Sequence, residues 1–141
     1  MIILDTNVIS EAMRGPKADP RVLDWLRSLR RQPVTTLINR AEIMAGIALL
    51  PAGNRRDKLR RAAESAFSTL GSCLPLVPAC ADEYGDIIAV RRAAGRQIGG
   101  MDALIASIAR VSGSSLATRD VHDFVGLGID VIDPWSSAGE H

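Results

Sequence analysis

Four carboxylic acids stand at the ends of predicted strands and in the first turns of predicted helices. Asp5 ends the first strand and Asp120 follows the fourth, while Glu42 and Asp102 each lie in the first turn of a helix. In an open parallel sheet, sites form beyond the carboxyl ends of the strands and at the N-termini of the helices that follow them. If these ends cluster on one edge of the sheet, the four carboxylates face one another.

Such a group of acids is typical of a site for a hard cation. Like charges placed close together raise one another's pKa and oppose folding unless a cation lies between them. Mg²⁺ and Mn²⁺ take oxygen ligands and usually keep water positions open for a substrate phosphate. A metal held in this way activates water and neutralises charge that builds on a phosphate, which is the arrangement of a nuclease.

Each acid also has a simpler structural explanation. Asn39 and Glu42 form an N-x-x-E pattern, in which Glu42 merely reaches back to a free N–H at the start of a helix. Asp102 in a first helical turn gains roughly 0.3–1 kcal/mol from the helix dipole without any function. Asp5 can form an Asx-turn at the end of its strand. The metal-site interpretation is favoured because all four acids fall on the edge at which an α/β protein forms its site.

Two acids compete for the fourth position of this site. Asp120 directly follows a strand, so its carboxylate starts at the sheet edge beside Asp5, but next to Arg119 it can equally form a solvated pair. Asp123 shares a helical face with Asp120 if residues 120–124 form one turn, and the helix dipole alone also explains its presence. We interpret Asp120 as the ligand and place Asp123 outside the coordination sphere.

Short apolar runs alternate with amphipathic stretches along the chain. The predicted strands are 2–4, 34–37, 115–118 and 131–132, and Leu74 with Leu76–Val77 is either a strand or an extended link. The predicted helices are 6–13, 22–29, 39–50, 59–70, 84–95 and 102–111. This alternation predicts an α/β fold with a central, mostly parallel β-sheet flanked by helices, in one domain over residues 1–141.

The composition is that of an ordinary folded protein. Hydrophobic residues make up 47% and charged residues 23% of the chain, as in typical soluble domains. Only 4% are aromatic, which leaves little material for stacking bases as OB and RRM domains do. The net charge of +1 neither indicates nor excludes a locally basic face over an acidic pocket.

Cysteine spacing and apolar runs favour a cytoplasmic protein. Cys73 and Cys80 lack the spacing of a zinc site and are interpreted as half-buried thiols in a reducing cytosol. The N-terminal apolar run is too short for a signal peptide. The longest apolar stretch, residues 43–52, is shorter than a membrane span, so we expect no membrane partner.

Five segments spread over nearly the whole chain resemble the motifs of one family in order. They are Leu4–Glu11, Ala41–Glu42 with Gly46–Ala48, Asp102–Ala106, Ala117–Asp120 with Asp123–Phe124, and Ile132–Trp135. Together they resemble PIN-domain ribonuclease toxins of the VapC and FitB-like branch, the toxin half of VapBC-type toxin–antitoxin pairs. Asn39 stands where that family usually has Thr or Ser, and relatives often have Asn in place of Asp120.

The resemblance implies a single PIN domain that cleaves RNA as a metal-dependent endoribonuclease toxin. The resemblance further implies that the catalytic and metal-binding residues, which hold Mg²⁺ or Mn²⁺, are Asp5, Glu42, Asp102 and Asp120. It also implies a small DNA-binding antitoxin of the VapB or FitA type, operator DNA bound only through that antitoxin, and a homodimer. Thr6 and Asn7 are interpreted as supports for Asp5 or for a metal-bound water.

Two other functions are weighed against the ribonuclease. A weakly active PIN-fold binding module would act mainly in a DNA-bound complex with its antitoxin. A phosphohydrolase would use Asp5 as a covalent nucleophile, although Asn7 stands where such enzymes need a second acid. The basic run 55–61 is interpreted as the solvated face of an amphipathic helix rather than an RNA-tracking surface, and His122 as an ordinary surface residue.

Overall fold

Helices cover a parallel β-sheet on both of its faces in a computed structural model, which describes residues 1–136. The elements in chain order are β1 (Ile2–Leu4), α1 (Thr6–Ala12), a 3₁₀ helix (Gly15–Lys17), α2 (Pro20–Ser28), β2 (Thr35–Thr36), α3 (Leu37–Ala48), α4 (Asn54–Thr69), β3 (Cys73–Leu74), α5 (Ala79–Ala93), α6 (Gly100–Ser112), β4 (Ser115–Ala117), α7 (Val121–Phe124) and β5 (Val131–Ile132). The predicted α/β class and parallel sheet are confirmed.

β1 lies at the centre of the sheet. It pairs with β4, which pairs with β5, and β2 pairs with β3 in a second ladder. A parallel bridge between Ile3 and Val34 joins the two ladders, with backbone hydrogen bonds of 2.9 Å from Leu4 N to Val34 O and from Val34 N to Ile2 O. Because every pairing is parallel, the carboxyl ends of β1, β2 and β4 lie at one edge.

The two central strands are buried on both faces. Ile3 and Leu116 pack into a core with residues of α5 and α6, whereas Leu4 and Ala117 pack into a second core with residues of α1, α3 and α4. All four side chains are at most 2% exposed. Successive strand residues point to opposite faces, so burial of both faces explains why these apolar runs are continuous.

The start of α3 differs from the prediction. The sequence predicts that Asn39 opens this helix, but Thr36 caps it, with its hydroxyl accepting a 3.1 Å hydrogen bond from Asn39 N, and Leu37 is the first helical residue. Thr36 occupies the cap because β2 ends there in extended geometry, which a cap residue requires. Glu42 therefore lies beyond the first turn, and its explanation as part of a capping box with Asn39 is wrong.

Two helices begin earlier than predicted: α4 starts at Asn54 and α5 at Ala79, each five residues before the predicted start, because their first turns are mostly exposed and carry little apolar periodicity. The other helix and strand boundaries differ by at most two residues.

Cys73–Leu74 forms β3, so the alternative strand at Leu76–Val77 is wrong and this segment is the extended link. Gly113 ends α6 in the left-handed conformation, with φ of 63°, which glycine adopts without steric cost. Both cysteines are free; Cys80 is buried, but Cys73 is exposed rather than half-buried. No helix within residues 1–136 is long and apolar enough to cross a bilayer.

Candidate active site

A cleft of about 490 Å³ opens at the carboxyl edge of the sheet. The structure places all four predicted acids in its lining: Asp5, Glu42, Asp102 and Asp120. Asp123 is not part of this lining. The other residues that line the cleft are Thr6, Asn7, Ser10, Glu11, Arg14, Arg119 and Trp135.

Asp5 is the most buried of the four acids, with 5% of its surface exposed. Its Oδ1 accepts hydrogen bonds from Thr6 N at 2.9 Å and from Asn39 Nδ2 at 2.8 Å, and its Oδ2 accepts one from Thr118 Oγ1 at 2.7 Å. Burial raises the pKa of Asp5 above its ordinary value, and the charge of Asp120 adds to this, although the three donors act in the opposite direction. Asp5 therefore caps α1 and lines the cleft at once.

The hydroxyl of Thr118 connects Asp5 to the fourth acid. It donates to Asp5 and accepts hydrogen bonds from Asp120 N at 3.0 Å and Asn7 Nδ2 at 3.3 Å. Asn7 Nδ2 also lies 3.2 Å from Asp120 Oδ2, and Asn7 Oδ1 accepts a hydrogen bond of 3.2 Å from Arg119 N. Thr118 and Asn7 thus fix the segment after β4 to the first turn of α1.

A second set of hydrogen bonds reaches the acids from α3. Thr36 Oγ1 donates to Asn39 Oδ1 at 2.7 Å, which orients the amide so that its Nδ2 donates to Asp5 and, at 3.1 Å, to Thr6 Oγ1. The Thr6 hydroxyl in turn donates to Glu42 Oε1 at 2.8 Å. Thr6 therefore contacts Asp5 through its backbone N and holds Glu42 through its hydroxyl. The expected contact of Asn7 with Asp5 is not formed within residues 1–136, because its amide bonds to Thr118 and Asp120 instead.

Asp102 differs from the other three acids because it receives no hydrogen bond within residues 1–136. Its side chain is half-buried at the start of α6. Burial, together with the smaller effect of the charges of Asp5, Asp123, Glu42 and Asp120, raises the pKa of Asp102 to about 6. Near neutral pH, this carboxylate therefore carries a negative charge that forms no ion pair within residues 1–136.

The donor set fits a hard divalent cation. Carboxylate oxygens are the ligands that Mg²⁺ and Mn²⁺ prefer, and the Asp102 carboxylate lies in the cleft without a hydrogen-bond partner among the described residues. No three acidic, histidine or cysteine side chains of residues 1–136 converge closely enough to enclose an ion. The fit therefore rests on ligand chemistry and on the partnerless carboxylate, rather than on a preformed cage.

Asn39 and Thr118 are site residues that sequence reasoning missed. Both are 0% exposed, and both donate directly to Asp5. The sequence does contain a sign of both residues, which is a polar side chain at a position predicted to be buried. Asn39 interrupts the apolar face of a helix, and Thr118 lies at the end of a predicted strand, two residues before Asp120. The basic run 55–61 and His122, in contrast, do not line the cleft.

Arg119 does not pair with Asp120, so the explanation of these two residues as a solvated ion pair is wrong. The Arg119 guanidinium instead stacks on the Trp135 ring, with its Cζ 5.0 Å from the ring centroid. Trp135 is 7% exposed and packs in the core that contains Leu4 and Ala117.

Comparison with known proteins identifies the family to which this fold and cleft belong. The family model described as PIN domain matches residues 2–125. The chain belongs to the PIN-domain family. It is 41% identical to the plasmid stability protein StbB of Pseudomonas syringae pv. tomato over 97% of this chain and 100% of that protein.

Two further relatives place this PIN domain among the VapC and FitB proteins, as the sequence motifs predicted. The chain is 37% identical to the VapC ribonuclease Y4jK of Sinorhizobium fredii, covering 98% of this chain and 100% of that protein. It is 36% identical to the toxin FitB of Neisseria gonorrhoeae, covering 96% and 99%. A solved structure of FitAB bound to an IR36 DNA fragment contains a chain that superposes with a TM-score of 0.87 at 34% identity, with all of both chains covered.

We predict that Thr118→Val lowers the free energy of unfolding by about 1–3 kcal/mol, because it leaves Asp5 Oδ2 and Asp120 N without their partner. Thr35→Val is the matched control. Thr35 is 2% exposed, and its hydroxyl has no hydrogen-bond partner within residues 1–136, so this change should be neutral or stabilising. Urea unfolding of both variants measures the difference. Equal losses would contradict the role assigned to Thr118.

A second prediction concerns pH. Because the pKa of Asp102 is about 6 in the folded protein against an ordinary 3.8, the folded state keeps a proton between these pH values that the unfolded chain has lost. The free energy of unfolding therefore falls as pH rises through this window, and the loss is complete above it. The pKa difference corresponds to about 3 kcal/mol, which solvent screening of this half-exposed group reduces to about 1 kcal/mol.

Metal-free Asp102→Asn should accordingly be about 1 kcal/mol more stable than the wild type at neutral pH and equally stable below the ordinary pKa of aspartate. Urea unfolding of the wild type and of Asp102→Asn in EDTA, from acidic to neutral pH, measures the difference in their free energies of unfolding. The other titrating groups are the same in both proteins, so their contributions cancel in this difference. A stability difference that stays constant across this pH range would show that the pKa of Asp102 is not raised in the folded protein.

Proposed function

We propose that this protein is a metal-dependent endoribonuclease and the toxin of a type II toxin–antitoxin module. The observation that carries the proposal is the half-buried Asp102 carboxylate, which lies without a hydrogen-bond partner among the described residues in a cleft that also contains Asp5, Glu42 and Asp120. Family membership supports it, because PIN-domain nucleases generally depend on divalent metals, and the relatives include a protein named as a ribonuclease and one named as a toxin.

In this proposal, Asp5, Glu42, Asp102 and Asp120 hold Mg²⁺ or Mn²⁺, which would activate water and stabilise charge on the phosphate. The protein itself fixes the position of the acids. Asp5 is immobilised by its three donors, and Glu42 is held through Oε1 by Thr6. Asp102 holds or releases a proton near neutral pH, so approach of a cation favours its charged form.

We infer that the partner of the toxin is a small DNA-binding antitoxin of the VapB or FitA type, and that operator DNA is bound only through it. The solved FitAB complex on DNA supports this inference. A guanidinium of the antitoxin placed among the carboxylates would satisfy the same electrostatic need as the metal. We also propose that the toxin is a homodimer and acts in the cytoplasm.

The two alternative functions receive less support from the geometry of the cleft. A covalent phosphohydrolase needs a second acid close to its nucleophile, but Asn7 stands at that position, and its amide contacts Thr118 and Asp120. A weakly active binding module has little need for four acids whose mutual repulsion opposes folding. Their presence in one cleft therefore favours the enzyme over both alternatives.

The direct test is RNA cleavage by the purified protein with Mg²⁺, with Mn²⁺ and with EDTA. We expect cleavage only with metal, and we expect Asp5→Asn to abolish it while the protein stays folded, because one of several crowded negative charges is removed. Circular dichroism of the variant checks its fold. Metal-independent cleavage, or full activity of Asp5→Asn, would refute the proposed site.

A further prediction separates the two candidates for the fourth acid. Asp120 and Asp123 are both exposed aspartates, but only Asp120 lines the cleft. Asp120→Ala should lower cleavage well below the wild-type rate, though less than Asp5→Ala or Asp102→Ala, and Asp120→Asn should retain more activity than Asp120→Ala because it keeps an oxygen ligand. Asp123→Ala is the matched control. If it is the more damaging change in a folded protein, the assignment of the fourth acid is wrong.

A further inference from the structure

Two arginines line the acidic cleft, and their surroundings differ. Arg14 pairs with Glu11, with 2.9 Å between Nη1 and Oε2. The guanidinium of Arg119, in contrast, makes no hydrogen bond or ion pair within residues 1–136 and only stacks on Trp135. Arg119 thus offers the cleft a cation whose hydrogen-bond donors are all unused.

The backbone of Arg119 and its stacking platform are both held in place. Arg119 N donates to Asn7 Oδ1 at 3.2 Å, and the following residue is bound to Thr118. The platform, Trp135, is buried in the same core as Leu4 and Ala117, and its backbone N donates to Asp133 Oδ1 at 2.9 Å. An arginine restrained in this way loses less side-chain entropy when it binds a ligand.

The position of Arg119 suits recognition of a phosphate. Its Cζ lies over the Trp135 ring, and the five N–H donors of its guanidinium have no acceptor within residues 1–136. A guanidinium edge matches two phosphate oxygens in a bidentate arrangement, which a lysine cannot reproduce. Such a cation favours entry of an anionic RNA backbone into a cleft lined by acids, because it neutralises a phosphate.

We propose that Arg119 binds a backbone phosphate of the RNA next to the scissile bond, with Trp135 as its platform. This inference rests on the proposed ribonuclease function and adds how the substrate is held. Arg119 contacts the substrate itself, whereas Trp135 is a positioning residue that acts through Arg119. The contact reads the phosphate and not the base, so it contributes affinity without sequence preference.

The test measures binding of a fluorescein-labelled, mixed-sequence single-stranded RNA by anisotropy, in the Asp5→Asn background that keeps the RNA intact. Arg119→Gln should raise Kd about tenfold, as expected for loss of a charge-assisted contact. It should also reduce the slope of log affinity against log salt concentration by about 0.7, the value for one phosphate of a single strand. Arg119→Lys should recover only part of the affinity, because it restores the charge but not the planar fork.

Arg27→Gln is the matched control for loss of one positive charge. Arg27 is an exposed residue of α2 that lies outside the cleft lining and pairs with Asp24 at 3.5 Å. Its replacement should leave both Kd and the salt slope at the values of the parent protein. In the cleavage-competent protein, Arg119→Gln should raise KM about tenfold and change kcat by less than about twofold, since it removes binding made equally in the ground and transition states.

Trp135 is tested by a double-mutant cycle. Trp135→Leu should raise Kd while Arg119 is present and have no further effect after Arg119→Gln, whereas Trp135→Phe should retain most of the affinity because it keeps an aromatic face. Thermal melts check folding, since Trp135 belongs to the core. Additive effects of the two substitutions would refute the platform role.

The outcomes separate this inference from the proposed function. Equal Kd values for Arg119→Gln and Arg27→Gln, or a larger loss from Arg14→Gln than from Arg119→Gln, overturn the phosphate contact. If the wild type cleaves RNA and Arg119→Gln behaves as the parent, only the Arg119 inference fails. If the wild type cleaves no RNA with any metal, the ribonuclease proposal fails, while the Kd series still decides whether Arg119 binds phosphate.

Discussion

The negative charge of Asp5 is held almost out of water at the end of the central strand, and much of the surrounding structure serves to keep it there. A buried carboxylate is tolerated only when hydrogen bonds replace its water. The donors come from three different elements: Thr6 from α1, Asn39 from α3 and Thr118 from the end of β4. The parallel sheet is what brings these three chain ends together.

The hydrogen bonds are distributed unevenly among the four acids. Asp5, Glu42 and Asp120 each accept at least one from a protein donor, whereas Asp102 accepts none from the part of the chain that the structure describes. Protein donors thus hold three of the acids, whereas the Asp102 carboxylate faces them without a hydrogen bond or an ion pair within residues 1–136. Under the proposed function, this imbalance is the reason that the cleft would take up a cation, either a metal ion or a cationic group of the partner.

Features set by local chain pattern were predictable from the sequence. Continuous apolar runs located the strands because both faces of the sheet are buried. Acids after two strand ends and near the starts of two helices predicted four carboxylates on one edge. The start of α3 was not predictable locally, because Thr36 and Asn39 are both good helix caps. Only the end of β2 at Thr36 decides between them.

The supporting contacts were beyond the reach of sequence patterns because they join distant parts of the chain. Asn39 and Asp5 are 34 positions apart, and Thr118 and Asp5 are 113 apart. Periodicity tells which face of an element is buried, but not which polar group it meets there. Arg119 is a second example: its neighbour Asp120 suggested an ion pair, but the fold supplies Trp135 as its partner.

The central claim is that a divalent cation relieves repulsion among these carboxylates in the folded state. Thermal unfolding of the wild type and of Asp102→Asn in Mg²⁺, Mn²⁺ and EDTA at neutral pH tests it most directly. A cation that binds only the folded protein stabilises it by about 2.7 kcal/mol at one hundred times its Kd, so we predict a clear rise in the Tm of the wild type and a much smaller one for the variant. Identical Tm values for the wild type in all three solutions would contradict the claim.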